Sequence, residues 1–225
     1  MNTARPSPAD LVTGRGFPPD GIRGAVFDVV GTLVEPWPPV AEVYAAAGRR
    51  HGVEVAPDCV HSRFRTAWRR QERLDAAAMP AFATSRSRER ERWRAVVDEV
   101  FDSSAASPDI FTDLWEHFGR PDAWRPIPAG AALLRAAAEA GCVVALASNF
   151  DERLLAIAPA VEPLSRADRV FASSEIGWRK PAVEFFRRVE NLLGMASHEL
   201  MLVGDDPDLD VAAAEAAGWR SLRVG

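Results

Sequence analysis

From about residue 128 onward, short apolar runs alternate with amphipathic helical stretches, and this alternation constrains the fold more than any other feature. The runs are CVVALAS (142–148), RVFASS (169–174), LMLVGD (200–205) and WRSLRV (219–224). Helical patterns over 129–140, 151–159, 181–193 and 209–217 precede or separate them. The runs are short and continuously apolar, the pattern of strands buried on both faces of a parallel sheet covered by helices. A further strand of this kind lies far upstream, where IRGAVFDVV (22–30) runs into a glycine turn. Right-handed crossovers would set the C-terminal ends of all these strands along one edge of the sheet.

Between the first strand and the rest, residues 38–118 read as helix throughout. Val40, Val43, Tyr44 and Ala47 form one apolar stripe, and Val60, Phe64, Ala67 and Trp68 a second. Trp93, Val96, Val97, Val100 and Phe101 form a third, and Ile110, Phe111, Leu114, Trp115 and Phe118 a fourth. Four such stripes predict a small helical bundle. It is far too long for an ordinary strand-to-helix connection and hangs over the sheet edge where open α/β folds keep their ligands. The expected architecture is α/β: a Rossmann-like parallel sheet core over 21–36 and 125–225, and a helical-bundle insert over 37–124 placed to act as a lid. Residues 1–20, rich in Pro and Gly, are expected to form a flexible tail.

A formal net charge of −5 argues against a non-specific nucleic-acid binder, and no stretch of about 18 apolar residues suggests a membrane span. Two cysteines, Cys59 and Cys142, make no disulfide framework or zinc spacing, and the N-terminal stretch lacks the apolar segment of a signal peptide. A cytoplasmic protein acting on a small anionic molecule is the expectation. Among the 27 basic residues Lys180 is the one lysine. A chain so biased towards Arg retains lysine where a compact ammonium does what a planar guanidinium cannot.

Lys180 is one of four polar groupings that fall at the ends of core strands. The others are Asp28 with Thr32, Ser148 with Asn149, and Asp205, Asp206 and Asp210 in GDDPDLD. Together they make a coherent chemistry. Asp28 would attack an electrophile and form a covalent aspartyl intermediate. Ser148, Asn149, Thr32 and backbone N–H groups would cradle an anion, helped by a helix starting near Asp151. Lys180 would hold nucleophile and anion together, and Asp205 with Asp28 would offer hard oxygen ligands to Mg²⁺.

In this order the motifs resemble those of the haloacid dehalogenase-like (HAD) superfamily: DVVGT (28–32), Ser148 in LASNFD, Lys180 in WRKP, and GDDPDLD (204–210). The insert resembles the helical cap of such enzymes. The resemblance implies a hydrolase with Asp28 as nucleophile and Mg²⁺ on Asp28, the Val30 carbonyl and Asp205. Asp210 would steer Lys180. The chain departs from the family's phosphatases at Val30, where they carry a second Asp that protonates the leaving group. General acid–base help is worth typically about 10²–10⁴-fold, so its loss is consequential.

Three hydrolytic readings follow. The favoured one is Mg²⁺-dependent hydrolysis of a small phosphorylated metabolite, with a good leaving group or another proton source such as Asp206. The alternative is metal-free 2-haloacid dehalogenation, where a halide leaves unprotonated and a cap arginine, such as Arg49, Arg50 or Arg63, meets the substrate carboxylate. A phosphonatase-like route needs a cap lysine, and the insert has none. A non-catalytic scaffold that binds a ligand or partner is the reading from another class.

The Arg-rich runs 63–73 and 86–94 are read as solvated helix faces laced with ion pairs. His51, His61, His117 and His198 have no ligand spacing and receive no role. Trp37 is expected at the hinge between core and insert.

Overall fold

The computed structural model describes residues 17–104 and 106–225. Residues 1–16, most of the expected tail, lie outside the described residues, and Phe17 packs against the main core. The chain begins with β1 (Gly24–Phe27) and β2 (Val34–Pro36), then four helices: α1 (Val40–Arg50), α2 (Pro57–Ala77), α3 (Arg86–Val100) and α4 (Ser107–His117). β3 (Trp124–Pro126), α5 (Pro128–Glu139), β4 (Val143–Ser148) and α6 (Arg153–Ile157) follow. The last part holds β5 (Arg169–Ala172), α7 (Ser173–Ile176), α8 (Val183–Leu193), β6 (Leu200–Gly204), α9 (Ala213–Ala216) and β7 (Arg220–Arg223). Among the described residues no helix is long and apolar enough to cross a membrane.

Five parallel strands form the main sheet in the order β5-β4-β1-β6-β7, with Phe27 registered against both Leu146 and Val203. The strand period of two sends alternate residues of β1 into different cores. Ala25 and Phe27 join Leu133, Leu134 and Ala137 of α5 on one face. Val26 joins Phe185, Phe186 and Val189 of α8 on the other. Burial on both faces is why these strands read as unbroken apolar runs.

The helices α1–α4 enclose a third core of their own, built from Val43, Val60, Val97, Val100, Phe101, Ile110 and Phe111. Backbone hydrogen bonds tie this layer to the sheet side at two places. At the first, β2 and β3 pair as an antiparallel ribbon, Val34 opposite Pro126 and Pro36 opposite Trp124. That ribbon was not legible in EPWPP and WRPIP, because proline, lacking an N–H donor, argues against a strand. Trp37 sits at its end, half-exposed, with the Arg125 guanidinium 3.9 Å above its ring.

The second connection reaches the loop that carries Lys180. Thr84 N–H donates to the Gly177 carbonyl at 2.9 Å, and Arg179 N–H to the Phe82 carbonyl at 3.0 Å. Beneath it, Asp75, Glu89, Arg92 and Arg179 form a buried ionic cluster, with Arg179 2.6 Å from Glu89 and Arg92 paired to Asp75. Here the expectation of solvated faces over 86–94 is corrected for two residues. Glu89 and Arg92 share the buried face of α3 with Val96 and Val100, and their charges are met by Arg179 and Asp75. Arg86 keeps the expected character, forming an exposed bidentate pair with Glu175 at 2.6 and 2.5 Å.

Element boundaries differ from expectation at three places that bear on the sheet edge. The β1 ladder ends at Phe27, three residues short of the expected strand end, so that Asp28 begins the turn. Ser173 and Ser174 open α7 instead of extending β5. The helix expected at 209 starts earlier as a π-helical turn, Pro207–Ala212, in which Val211 N–H reaches the Asp206 carbonyl at 3.2 Å. Such widened turns recur at functional sites.

Candidate active site

Asp28, Ser148, Lys180, Asp205 and Asp210 all meet at the C-terminal edge of the sheet. Just past the end of β1, Asp28 N–H donates to the Val203 carbonyl at 2.9 Å, which ties the Asp28 backbone to β6. The chain then turns through Gly31 at φ +90°, where a Cβ would lie 2.5 Å from Asp205 Oδ2. Glycine is required here twice over, for the backbone angle and for the approach of the carboxylate.

Lys180 is the centre of the arrangement and is buried. Its Nζ donates to Asp28 Oδ1 at 2.7 Å and to Asp210 Oδ1 at 2.5 Å. Asp210 is steadied in turn by the Asp206 N–H, which donates to its Oδ2 at 3.1 Å. Asn149 fixes the lysine from behind: its Nδ2 donates to the Lys180 carbonyl at 2.9 Å, and the Lys180 N–H donates to its Oδ1 at 2.8 Å. Much of the hydrogen-bonding capacity of Asn149 is thus spent on placing Lys180. Thr32, expected to contact the anion, is fully buried and donates instead to Asp205 Oδ1 at 3.0 Å. It orients a carboxylate and lies behind the cavity wall.

One carboxylate oxygen from each of Asp28, Asp205 and Asp210 can be chosen so that all lie within 4.8 Å of one another. Three acids therefore face a single ammonium. Burial pushes the Asp28 carboxyl up to about 6, with Lys180 opposing the shift and Asp210 adding to it. Burial also raises Asp205, against the hydrogen bond from Thr32. Lys180 is disfavoured as a cation by burial, but Asp28 and Asp210 more than offset this and hold it firmly protonated.

Above this group a cavity of about 440 Å³ opens between sheet edge and helical layer. Its floor holds Asp28, Val30, Ser148, Asn149, Lys180, Asp205 and Asp206. Its walls and roof are largely aromatic, with Tyr44, Trp68, Trp93, Phe111, Trp115 and Phe118 among them. These residues were visible as helical stripes but were read only as bundle core. One edge of each stripe packs inward and the other lines the cavity, a division that sequence spacing does not resolve.

Arginines are distributed differently from expectation. Arg50 pairs with Asp113 at 3.0 Å and Arg63 with Asp102 at 2.9 Å, and neither they nor Arg49 line the cavity. The lining arginine is Arg153, on the sheet side, held by Asp151 at 2.7 Å and stacked 3.6 Å from the Trp115 ring centroid. The helix start expected to help bind an anion is already occupied: the Asp151 carboxylate accepts the Arg153 N–H at 3.1 Å.

The model of the haloacid dehalogenase-like hydrolase family matches residues 22–218. Haloacid dehalogenase-like hydrolase domain-containing protein 3 of Homo sapiens is 31% identical over 210 residues, covering 90% of this chain and 82% of that protein. A phosphoserine phosphatase of Thermus thermophilus is 30% identical over 170 residues, 73% of this chain and 64% of that one. Among solved structures, a defluorinating L-2-haloacid dehalogenase superposes with a TM-score of 0.70 at 24% identity, over 89% of this chain and 80% of that one. At that identity the likeness speaks for the fold alone.

Proposed function

This chain belongs to the haloacid dehalogenase-like hydrolase family, and we propose that within it the chain hydrolyses a small phosphate ester through an aspartyl-phosphate on Asp28, with Mg²⁺. The observation that carries this reading is the convergence of Asp28, Asp205 and Asp210 around one lysine. With every acid ionised the group is net negative and would repel a phosphate or a carboxylate. A divalent cation relieves that repulsion, and carboxylate with carbonyl oxygen is the donor set Mg²⁺ prefers. The carboxylates of Asp28 and Asp205, the last oriented by Thr32, lie close enough to share such an ion, and the family resemblance adds the Val30 carbonyl as a further ligand. Bound there, the ion would neutralise charge on the transferring phosphoryl group.

The chain's own residues divide the remaining work. Asp28 Oδ attacks phosphorus and the ester oxygen leaves with the bonding electrons. Lys180 draws phosphoryl oxygens towards the nucleophile, and Ser148 offers a hydroxyl to them from the cavity floor. Asp210 and Asn149 hold Lys180 in place. Water then attacks phosphorus, releasing inorganic phosphate and restoring the Asp28 carboxylate.

Dehalogenation is the second reading, favoured by Val30. Against it stands the cavity lining, to which α1–α4 contribute no arginine for a substrate carboxylate and in which Arg153 is neutralised by Asp151. The experiment that separates the readings is a screen of phosphate monoesters and 2-haloacids, each with Mg²⁺ and with chelator. Phosphate release that chelator abolishes and that Asp28→Asn eliminates supports the proposal. Halide release that survives chelation overturns it in favour of dehalogenation, and inactivity on both panels favours a binding scaffold.

A further inference from the structure

We infer that the substrate is an aromatic phosphate monoester, a phosphorylated phenol whose ring sits in the aromatic cavity and whose oxygen leaves as a phenolate. This inference rests on the phosphoryl reading above and deepens it. Two independent observations meet in it. The first is Val30, which lines the floor beside Asp28 and can protonate nothing. An alkoxide leaves poorly without a proton, whereas a phenolate is stable enough to depart without one. The second is the lining directly above Asp28.

That lining suits a ring and suits a sugar or an amino acid badly. Trp68, Trp93, Phe111 and Trp115 line it with aromatic rings, Trp115 already stacked against the Arg153 guanidinium, and aromatic pairs pack favourably beyond their buried area. A polyhydroxylated body would lose water there without recovering its hydrogen bonds. Both cations that line the cavity are committed, Lys180 to Asp28 and Asp210 and Arg153 to Asp151. A second anionic group on the substrate therefore finds no free partner in it. The helical layer adds little that is polar to the wall, Glu72 and Tyr44. Tyr44, 1% exposed, brings a phenol hydroxyl to the lining. It would serve a single polar substituent on the ring.

The step balances without another reagent. Asp28 forms the new P–O bond, the aryl P–O bond breaks, and the phenolate takes the electron pair and later a proton from solvent. Water cleaves the aspartyl-phosphate, its oxygen and protons leaving with phosphate.

The test has a binding arm and a kinetic arm. In the Asp28→Asn variant with Mg²⁺, affinities are measured by calorimetry for phenylphosphonate, methylphosphonate and a dihydroxypropylphosphonate. At least tenfold tighter binding of the phenyl compound is expected, and Trp115→Ala should erase most of that preference while sparing methylphosphonate. Equal or tighter binding of the hydroxylated compound overturns the inference. In the kinetic arm, kcat/KM is measured for substituted phenyl phosphates and for benzyl and glycerol phosphates. A steep fall with leaving-group pKa is expected for the wild type, and Val30→Asp should flatten it and bring in alkyl esters. A flat wild-type dependence, or glycerol phosphate turned over as well as phenyl phosphate, overturns this inference alone. No turnover of any monoester, despite tight phenylphosphonate binding, overturns the phosphoryl reading itself.

Discussion

Replacing Lys180 by methionine keeps an unbranched side chain, one atom shorter, and removes the ammonium with its two hydrogen bonds. In the native site that charge is 2.7 Å from Asp28 and 2.5 Å from Asp210, and all three residues are buried. Removing one partner of a buried ion pair leaves an uncompensated charge, at a cost of about 3–5 kcal/mol. For a chain of this size each kcal/mol moves Tm by roughly 2–4 °C, so a loss of about 6–20 °C is expected at pH 8. The pH dependence identifies the cause. Without the ammonium, the carboxyl of Asp28 lies higher than in the native protein, where it already stands at about 6 against an ordinary 3.8. The folded variant then binds protons more tightly than its unfolded chain. The penalty is full above that raised value and shrinks as pH falls towards the native value of about 6. Urea unfolding of both proteins with chelator at pH 8, 6.5 and 5 should show the stability gap narrowing at each step. A gap that stays constant, or no loss at pH 8, would refute the assignment of Lys180 as the counter-ion of two buried acids.

The same reasoning gives three further expectations. Gly31→Ala forces a side chain to φ +90° and a Cβ to within 2.5 Å of Asp205, so it should cost about 1–2 kcal/mol or more. It should also abolish the rise in Tm expected when MgCl₂ is added to the wild type. Arg179→Met breaks the buried pair with Glu89 and should destabilise by about 3–5 kcal/mol in urea unfolding, whereas Arg86→Met at the exposed Glu175 pair should change little. On the proposed mechanism Asp28 attacks only when ionised, so kcat/KM at limiting Mg²⁺ should fall tenfold per pH unit below about 6, and saturating Mg²⁺ should move that limb to lower pH.

The sheet was readable because β1, β4 and β6 are buried on both faces, which leaves little choice of residue and writes unbroken apolar runs into the chain. The floor of the site followed from the same strands, since Asp28, Ser148 and Asp205 stand where those runs stop. What depended on three-dimensional neighbours was harder to see. Thr32 and Asn149 read as substrate contacts, yet their hydrogen bonds go to Asp205 and to the Lys180 backbone. The β2–β3 ribbon hides behind prolines, and the aromatic wall hides inside helical stripes that serve two surfaces at once. Glu89 and Arg92 did leave a signal. They fall three residues apart on the stripe that continues through Val96 and Val100, a register in which charge implies a buried partner.

The central claim is that Asp28 attacks phosphorus and that water then attacks the same phosphorus. Turnover of a phosphate monoester in ¹⁸O-water, followed by mass spectrometry of the phosphate and of the peptide bearing Asp28, tests it directly. The label should appear in inorganic phosphate, with the alcohol or phenol and the Asp28 carboxylate unlabelled, and Asp28→Asn should show no release. Label in the organic product, in the Asp28 carboxylate as for a carbon ester of Asp28, or undiminished release by Asp28→Asn would contradict the account.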